Sequence, residues 1–248
     1  MIKSVKVRYI FSKIEINSII NFILLFMFTQ CSKNDLSTDN FEEVERVQEE
    51  NQNNSEKKVF NFEKIACDGG FADEFPCKEY DLLNWIPLSF FDSESANDNW
   101  GWTDSKSKRE FVLQGLNDGL AFLDITDPQK VIYLGKLLSA TDPSDWRDVK
   151  IYGDHAFIVS EASNHGLQVF DLNNLLASDE FKTFNEDYIA NDFGNAHNIA
   201  INTSSGFAYV LGSALYKGGP IFYDISIPKQ PIFSGGFSDT SYIHDAQI

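Results

Sequence analysis

The sequence predicts an all-β protein built from repeats, and three observations carry that prediction. The first is a strand with its own start and stop signals that occurs three times, at residues 119–124 (GLAFLD), 166–171 (GLQVFD) and 219–224 (GPIFYD). In each, a glycine opens a β-prone run and an aspartate turn ends it. The second is the spacing, since the aspartates at 124, 171 and 224 lie 47 and 53 residues apart. The third is composition: 43% hydrophobic and 14% aromatic residues, with Phe at 22, suit a β-rich core. Further short β-prone runs flank each repeated strand, giving four strands in roughly 50 residues, the blade of a β-propeller.

The chain opens with Lys3, Lys6, Arg8 and Lys13 ahead of an apolar run at 19–28 (IINFILLFMF). Charge followed by hydrophobe is the order of an export signal, so residues 1–30 read as a signal peptide. Ten apolar residues fall short of the ~20 that a helix needs to cross a bilayer. The string FTQCS at 28–32 resembles a bacterial lipobox, with Cys31 as the lipidated first residue of the mature chain. The alternative is a plain signal peptide and a secreted protein. Residues 31–60 are polar and acidic, with too few apolar side chains to offset the entropy of ordering, and read as a tether. The formal net charge of −17 argues against nucleic acid and against anionic membrane surfaces as partners. Contact with a membrane is expected through the lipid anchor only.

Residues 61–105 form a leading segment. Cys67 and Cys77 flank a Gly- and Pro-rich loop (CDGGFADEFPC), which in an exported chain is most simply a local disulfide. A free thiol is the alternative; if Cys31 carries lipid, the other two cysteines pair without remainder. Further on, Asn97, Asp98, Asn99 and Asp104 could be oxygen ligands for calcium, but their spacing does not match an EF-hand loop. Asn and Asp are also the ordinary turn residues, and that reading is preferred.

The repeats occupy residues 106–248. In the middle unit the strands fall at 146–151, 156–159 and 166–170; in the next they fall at 196–201, 207–210 and 219–224. Fourth strands are placed at 131–135 and 231–235. The turns DITDP at 124–128 and DISIP at 224–228 pair a capping aspartate and hydroxyl with a proline that fixes φ, so these aspartates read as structural.

The strings GLAFLDITDP and VKIYGDHAFIVSEASNHGLQVFDL resemble LVIVD repeats. The ordered set CDGGFADEFPC, NDNWGWTD, SDWRDVKIYGDHAFIVSEA, NAHNIAINTSSGFAY and YIHDAQI is similar to the choice-of-anchor B family of exported proteins, over roughly residues 65–248. The resemblance implies a β-propeller held at the cell surface by an anchor that differs between members, with no established activity. A lipidated Cys31 would be the anchor of this chain. The sequence departs from the pattern at Gln30, at Ile227 and in stopping at Ile248.

The candidate site comes from aligning the first strand of each blade. Arg147 and Asp148, His197 and Asn198, and His244 and Asp245 hold equivalent positions, 50 and 47 residues apart. First strands of a propeller converge on its axis, so these side chains could form a polar ring around a funnel. Such a ring could bind a metal or an anionic ligand, act as an acid–base pair, or simply fill the funnel with mutual hydrogen bonds. His155 and His165 are expected to be exposed. Ser160 and Glu161 lack a nucleophile elbow, and no Walker loop or dinucleotide fingerprint is present. No catalytic residue or cofactor is assigned.

About three blades are present where closure usually takes four to eight, so the chain reads as part of a longer protein. The function expected is a surface-anchored binding or scaffold module for a protein or glycan ligand, on a bacterial outer membrane or cell surface. The alternative is a metal-dependent hydrolase or lyase with its site in the axial funnel.

Overall fold

The computed structural model describes residues 57–177, 179–239 and 241–248. The signal peptide, Cys31 and most of the tether lie outside them. The described chain begins with β1 (Lys58–Asn61), which falls inside the stretch expected to be tether, and a small hairpin of β2 (Phe71–Ala72) and β3 (Phe75–Pro76). The Cys67–Cys77 disulfide closes that hairpin, as the Gly- and Pro-rich loop predicts. Four strands follow: β4 (Ala96–Thr103), β5 (Glu110–Leu116), β6 (Gly119–Asp124) and β7 (Lys130–Leu138). Next come β8 (Arg147–Tyr152), β9 (His155–Ser160), β10 (Leu167–Asp171), β11 (Lys182–Phe184) and β12 (Tyr188–Ala190). The last four are β13 (Asn198–Asn202), β14 (Phe207–Leu211), β15 (Ile221–Asp224) and β16 (Ile232–Gly236).

These strands form an all-β fold of three meandering antiparallel sheets in chain order. Sheet 1 is β4-β5-β6-β7 with β1 added at its outer edge, sheet 2 is β8-β9-β10-β12, and sheet 3 is β13-β14-β15-β16. The first strands β4, β8 and β13 lie next to one another. Among the described residues the three sheets do not close into a ring or barrel. The first sheet therefore starts earlier than the sequence suggests, because Asn97, Asp98 and Asn99 are strand residues of β4 and not turns.

Each sheet begins and ends where its turn chemistry dictates. The repeat aspartates Asp124, Asp171 and Asp224 each accept the backbone N–H two residues on, from Thr126 (2.8 Å), Asn173 (3.0 Å) and Ser226 (2.9 Å). These side chains satisfy the backbone as the chain leaves the ladder, which is the staple role the sequence predicts.

Alternation along the strands sets the packing. In β9, Ala156 and Ile158 face sheet 1, while Phe157 and Val159 face sheet 3. A sheet buried on both faces needs apolar residues at every position, which explains the unbroken run AFIV. Between sheets 1 and 2 the Phe122 and Phe170 rings stack with centroids 4.7 Å apart, and Phe184 meets both edge-on at 5.2 and 5.3 Å. The other face of sheet 1 places Ala121, Leu123, Val131 and Tyr133 under Ile86, Leu88, Phe90 and Phe91 of the leading segment. On the far side of sheet 3, Tyr209 and Phe222 lie beside Ile243 and Ile248 of the final segment.

One connection was not foreseen. After β10 the chain leaves sheet 2, adds β11 in parallel to the outer edge of β7, and returns as β12. The β7 edge is thus shared, β1 taking residues 130–133 and β11 residues 135–137. Gly135 makes the crossing possible: its φ is +135°, and a Cβ there would lie 1.7 Å from the Lys182 carbonyl oxygen.

Truncating the stacked pair tests this packing. Phe170→Ala is expected to lower the unfolding free energy in urea by about 3–5 kcal/mol. Ile232→Ala, at a side chain 60% exposed, is expected to stay within about 0.5 kcal/mol.

Candidate functional site

The adjoining first strands carry one side chain in a repeated setting. Asp98 on β4, Asp148 on β8, Asn198 on β13 and Asp245 in the final segment each accept the N–H of the residue that follows. Their Oδ1 atoms lie 2.7, 2.7, 2.9 and 2.7 Å from the nitrogens of Asn99, Val149, Ile199 and Ala246. The alignment that pairs Asp148, Asn198 and Asp245 is therefore also a geometric one. Asp98 belongs to it and was missed, although it lies 50 residues before Asp148, the same interval that separates Asp148 from Asn198.

Asp148 also joins the sheets. Its Oδ2 accepts the Ile199 N–H of β13 at 2.9 Å, so two side chains share one backbone donor across sheets 2 and 3. Toward sheet 1 its carboxyl hydrogen-bonds Asp98. Lys150 contacts the Asp148 carboxylate, lies 3.4 Å from Asp98 and sits 4.8 Å from the Trp100 ring centroid. Burial raises the Asp148 carboxyl to about 7, helped by the Asp98 hydrogen bond and opposed by Lys150. Asp98 moves the other way: burial works against it, but the Asp148 hydrogen bond and the Lys150 charge outweigh burial and hold it below its ordinary value. Below about pH 7 the pair keeps one proton, and its single negative charge is matched by Lys150.

Arg147 leaves this group. It is 1% exposed and spans sheets 1 and 2, with Nε donating to the Leu116 carbonyl (3.1 Å), Nη2 to Ser139 Oγ (2.8 Å) and Nη1 to His165 Nε2 (2.8 Å). His165, expected at the surface, is fully buried. Its Nδ1 lies 3.0 Å from the Gly166 carbonyl, which fixes the neutral tautomer with an Nε2 lone pair for Arg147. Burial, then the Arg147 charge, push His165 down to about 4. Burial lowers Arg147 to about 10, so it stays cationic. The Arg147–His165 pair is a pin between sheets.

His197 and His244 do meet. Their Nε2 atoms are 2.8 Å apart, and His197 Nδ1 lies 2.7 Å from Glu161 Oε1. The rings of Trp146 and Tyr242 flank His197 at 5.8 and 6.3 Å. The sequence offers no nucleophile elbow for Ser160 and Glu161. Ser160 is indeed structural, its Oγ donating to the Trp146 carbonyl (2.9 Å), but Glu161 belongs to the site. His155, expected to be exposed, is half-buried and apart from this group, 3.8 Å from Asp171. Among the described residues no three His, Cys, Asp or Glu side chains come together as a metal site. Asn195 reaches the Glu161 carbonyl at 3.4 Å and links the histidines to an open cleft of about 780 Å³, lined by Asn164, Asn191, Asp192, Asn195, Ser213 and Leu215. Its amides and carboxylate suit a hydroxyl-rich or peptide ligand.

The acidic pair has a pH signature. The fold keeps a proton on Asp148 that the unfolded chain releases near 3.8, so its contribution to stability is complete below that pH and is lost as pH rises through about 7. His165 works in the opposite sense, since the unfolded chain gains a proton below 6.5 that the folded chain refuses until about 4. The stability difference between wild type and Asp148→Asn, measured by urea unfolding from pH 4 to 8, is expected to shift against the wild type as pH rises and to level off above 7. A pH-independent difference would show that no proton is held there.

No family model, curated protein or solved structure matches the chain.

Proposed function

We propose that the chain is a cell-surface-anchored lipoprotein whose LVIVD-type repeats form blades of a β-propeller, acting as a binding or scaffold module for a protein or glycan ligand. The observation that carries this reading is the repeated setting of Asp98, Asp148, Asn198 and Asp245 on adjoining first strands. Blades arranged around an axis bring the same position of each repeat to the same place, whereas unrelated stacked sheets do not. The four-stranded meanders, whose first strands adjoin one another, support it further. The anchoring part rests on the order of charge, apolar run and Cys31, and on the acidic stretch that follows.

The ligand is assigned to the cleft between Asn164 and Leu215, next to the histidines. Exposed Asn191 and Asp192 and half-buried Asn195 offer donors and acceptors to hydroxyl or amide groups, and buried Phe193 stiffens the loop that carries them.

Anchoring is tested by expressing the full chain with a radiolabelled fatty acid and separating membranes by flotation. The wild type is expected to take up label and float, and Cys31→Ala to do neither; an unlabelled, soluble wild type overturns the lipoprotein reading. Ligand binding is tested on an array of immobilised glycans and peptides. Any ligand found is expected to lose at least tenfold in affinity in Asn191→Ala and Asn195→Ala, and retained affinity in both places the site elsewhere.

A further inference from the structure

We propose that His197 and His244 are the protein ligands of a two-histidine site for a divalent transition-metal ion of the zinc, copper or nickel class, with Glu161 as the residue that orients His197.

The two Nε2 atoms lie 2.8 Å apart. Metal–imidazole bonds of about 2.0–2.1 Å place two neighbouring nitrogens about 2.9 Å apart at a right angle and about 3.3 Å apart in a tetrahedron. The nitrogens therefore need to separate by only a few tenths of an ångström, with the rings turning so that both lone pairs meet at the ion. Without an ion, one proton must sit between the nitrogens, and only one lone pair is used. A metal ion in place of that proton uses both.

The proton inventory around His197 agrees. Glu161 Oε1 lies 2.7 Å from Nδ1 and takes its N–H, which leaves a lone pair on Nε2, the atom 2.8 Å from His244. A carboxylate on the far nitrogen is the usual outer partner of a metal-bound histidine, fixing the tautomer and raising the basicity of the ligating atom. The oxygens of the aligned ring have another task here, since Asp245 Oδ1 and Asn198 Oδ1 accept the N–H groups of the next residues. Each instead holds the backbone directly after a histidine, so the repeated side chains position the pair.

Imidazole nitrogens favour zinc, copper and nickel over magnesium or calcium, which prefer oxygen. The chain's formal charge of −17 raises the local concentration of any cation. His244 is exposed, so the remaining coordination positions open to water or to a group on a bound ligand. The inference stands whether the chain is a binding module or an enzyme. It also ties the final segment, which carries His244, to the start of β13, which follows His197 directly.

The test is equilibrium dialysis of the untagged full chain against Zn²⁺, with metal and protein both quantified. One equivalent is expected to bind saturably to the wild type and to His155→Ala. His197→Ala and His244→Ala are expected to weaken binding at least tenfold, and Glu161→Gln by about 10–100-fold. Thermal unfolding with and without Zn²⁺ provides a second readout, with a rise in the midpoint expected for the wild type and none for His244→Ala. His244 lies outside every strand, so its loss leaves the core intact even if His197→Ala does not fold. Absence of saturable binding to the wild type, or equal binding by His244→Ala, overturns the proposal.

Discussion

Sheet 2 is apolar on both faces, and the rest of the described chain is arranged to cover it. Residues 156–159 of its inner strand β9 have no polar side to offer water, so Ala156 and Ile158 require sheet 1 and Phe157 and Val159 require sheet 3. That single demand fixes the order of the sheets and brings β4, β8 and β13 side by side. Sheet 1 in turn has a second apolar face, which the leading segment covers with Phe90 and Phe91. The disulfide at Cys67–Cys77 closes the loop at the head of that cover.

Where the first strands adjoin, their side chains do two kinds of work. One acidic or amide residue per repeat bonds the backbone just after it, and Asp148 extends the bond to the next sheet through Ile199. The residues just before these diverge: Arg147 is drawn into the interior against His165, whereas half-buried His197 and exposed His244 converge. The repeat thus preserves a scaffold position and leaves its neighbour free to vary, which is how one architecture carries different chemistry at the same place.

Much of this was legible in the residues. The Gly-to-Asp strands, their aspartate staples, the disulfide and the meeting of His197 with His244 all follow from local turn chemistry or from spacing. What was not legible depended on partners distant in sequence. Residues 96–103 (ANDNWGWT) read as turns because Asn and Asp favour them, yet pairing with β5 overrides that preference. β11 carries no periodic signal in its three residues and exists because β7 has a free edge. His165 looked like a loop residue, and only the Arg147 guanidinium explains its burial. Asp98 could have been found by extending the 50-residue interval one repeat back. Glu161 had no comparable signal, since its role appears only when the turn after β9 is set beside His197.

Lending β11 to sheet 1 has a consequence for how the molecule comes apart. In a stack of repeats that touch only through their faces, each unit can open alone and stabilities add from neighbour to neighbour. Here the strand that finishes the edge of sheet 1 is spliced between two strands of sheet 2, so neither sheet can lose its outer edge without disturbing the other. The smallest cooperative unit at this end is the pair of sheets, while sheet 3, which receives no such strand, is held to them by its packed face and the Asp148–Ile199 bond.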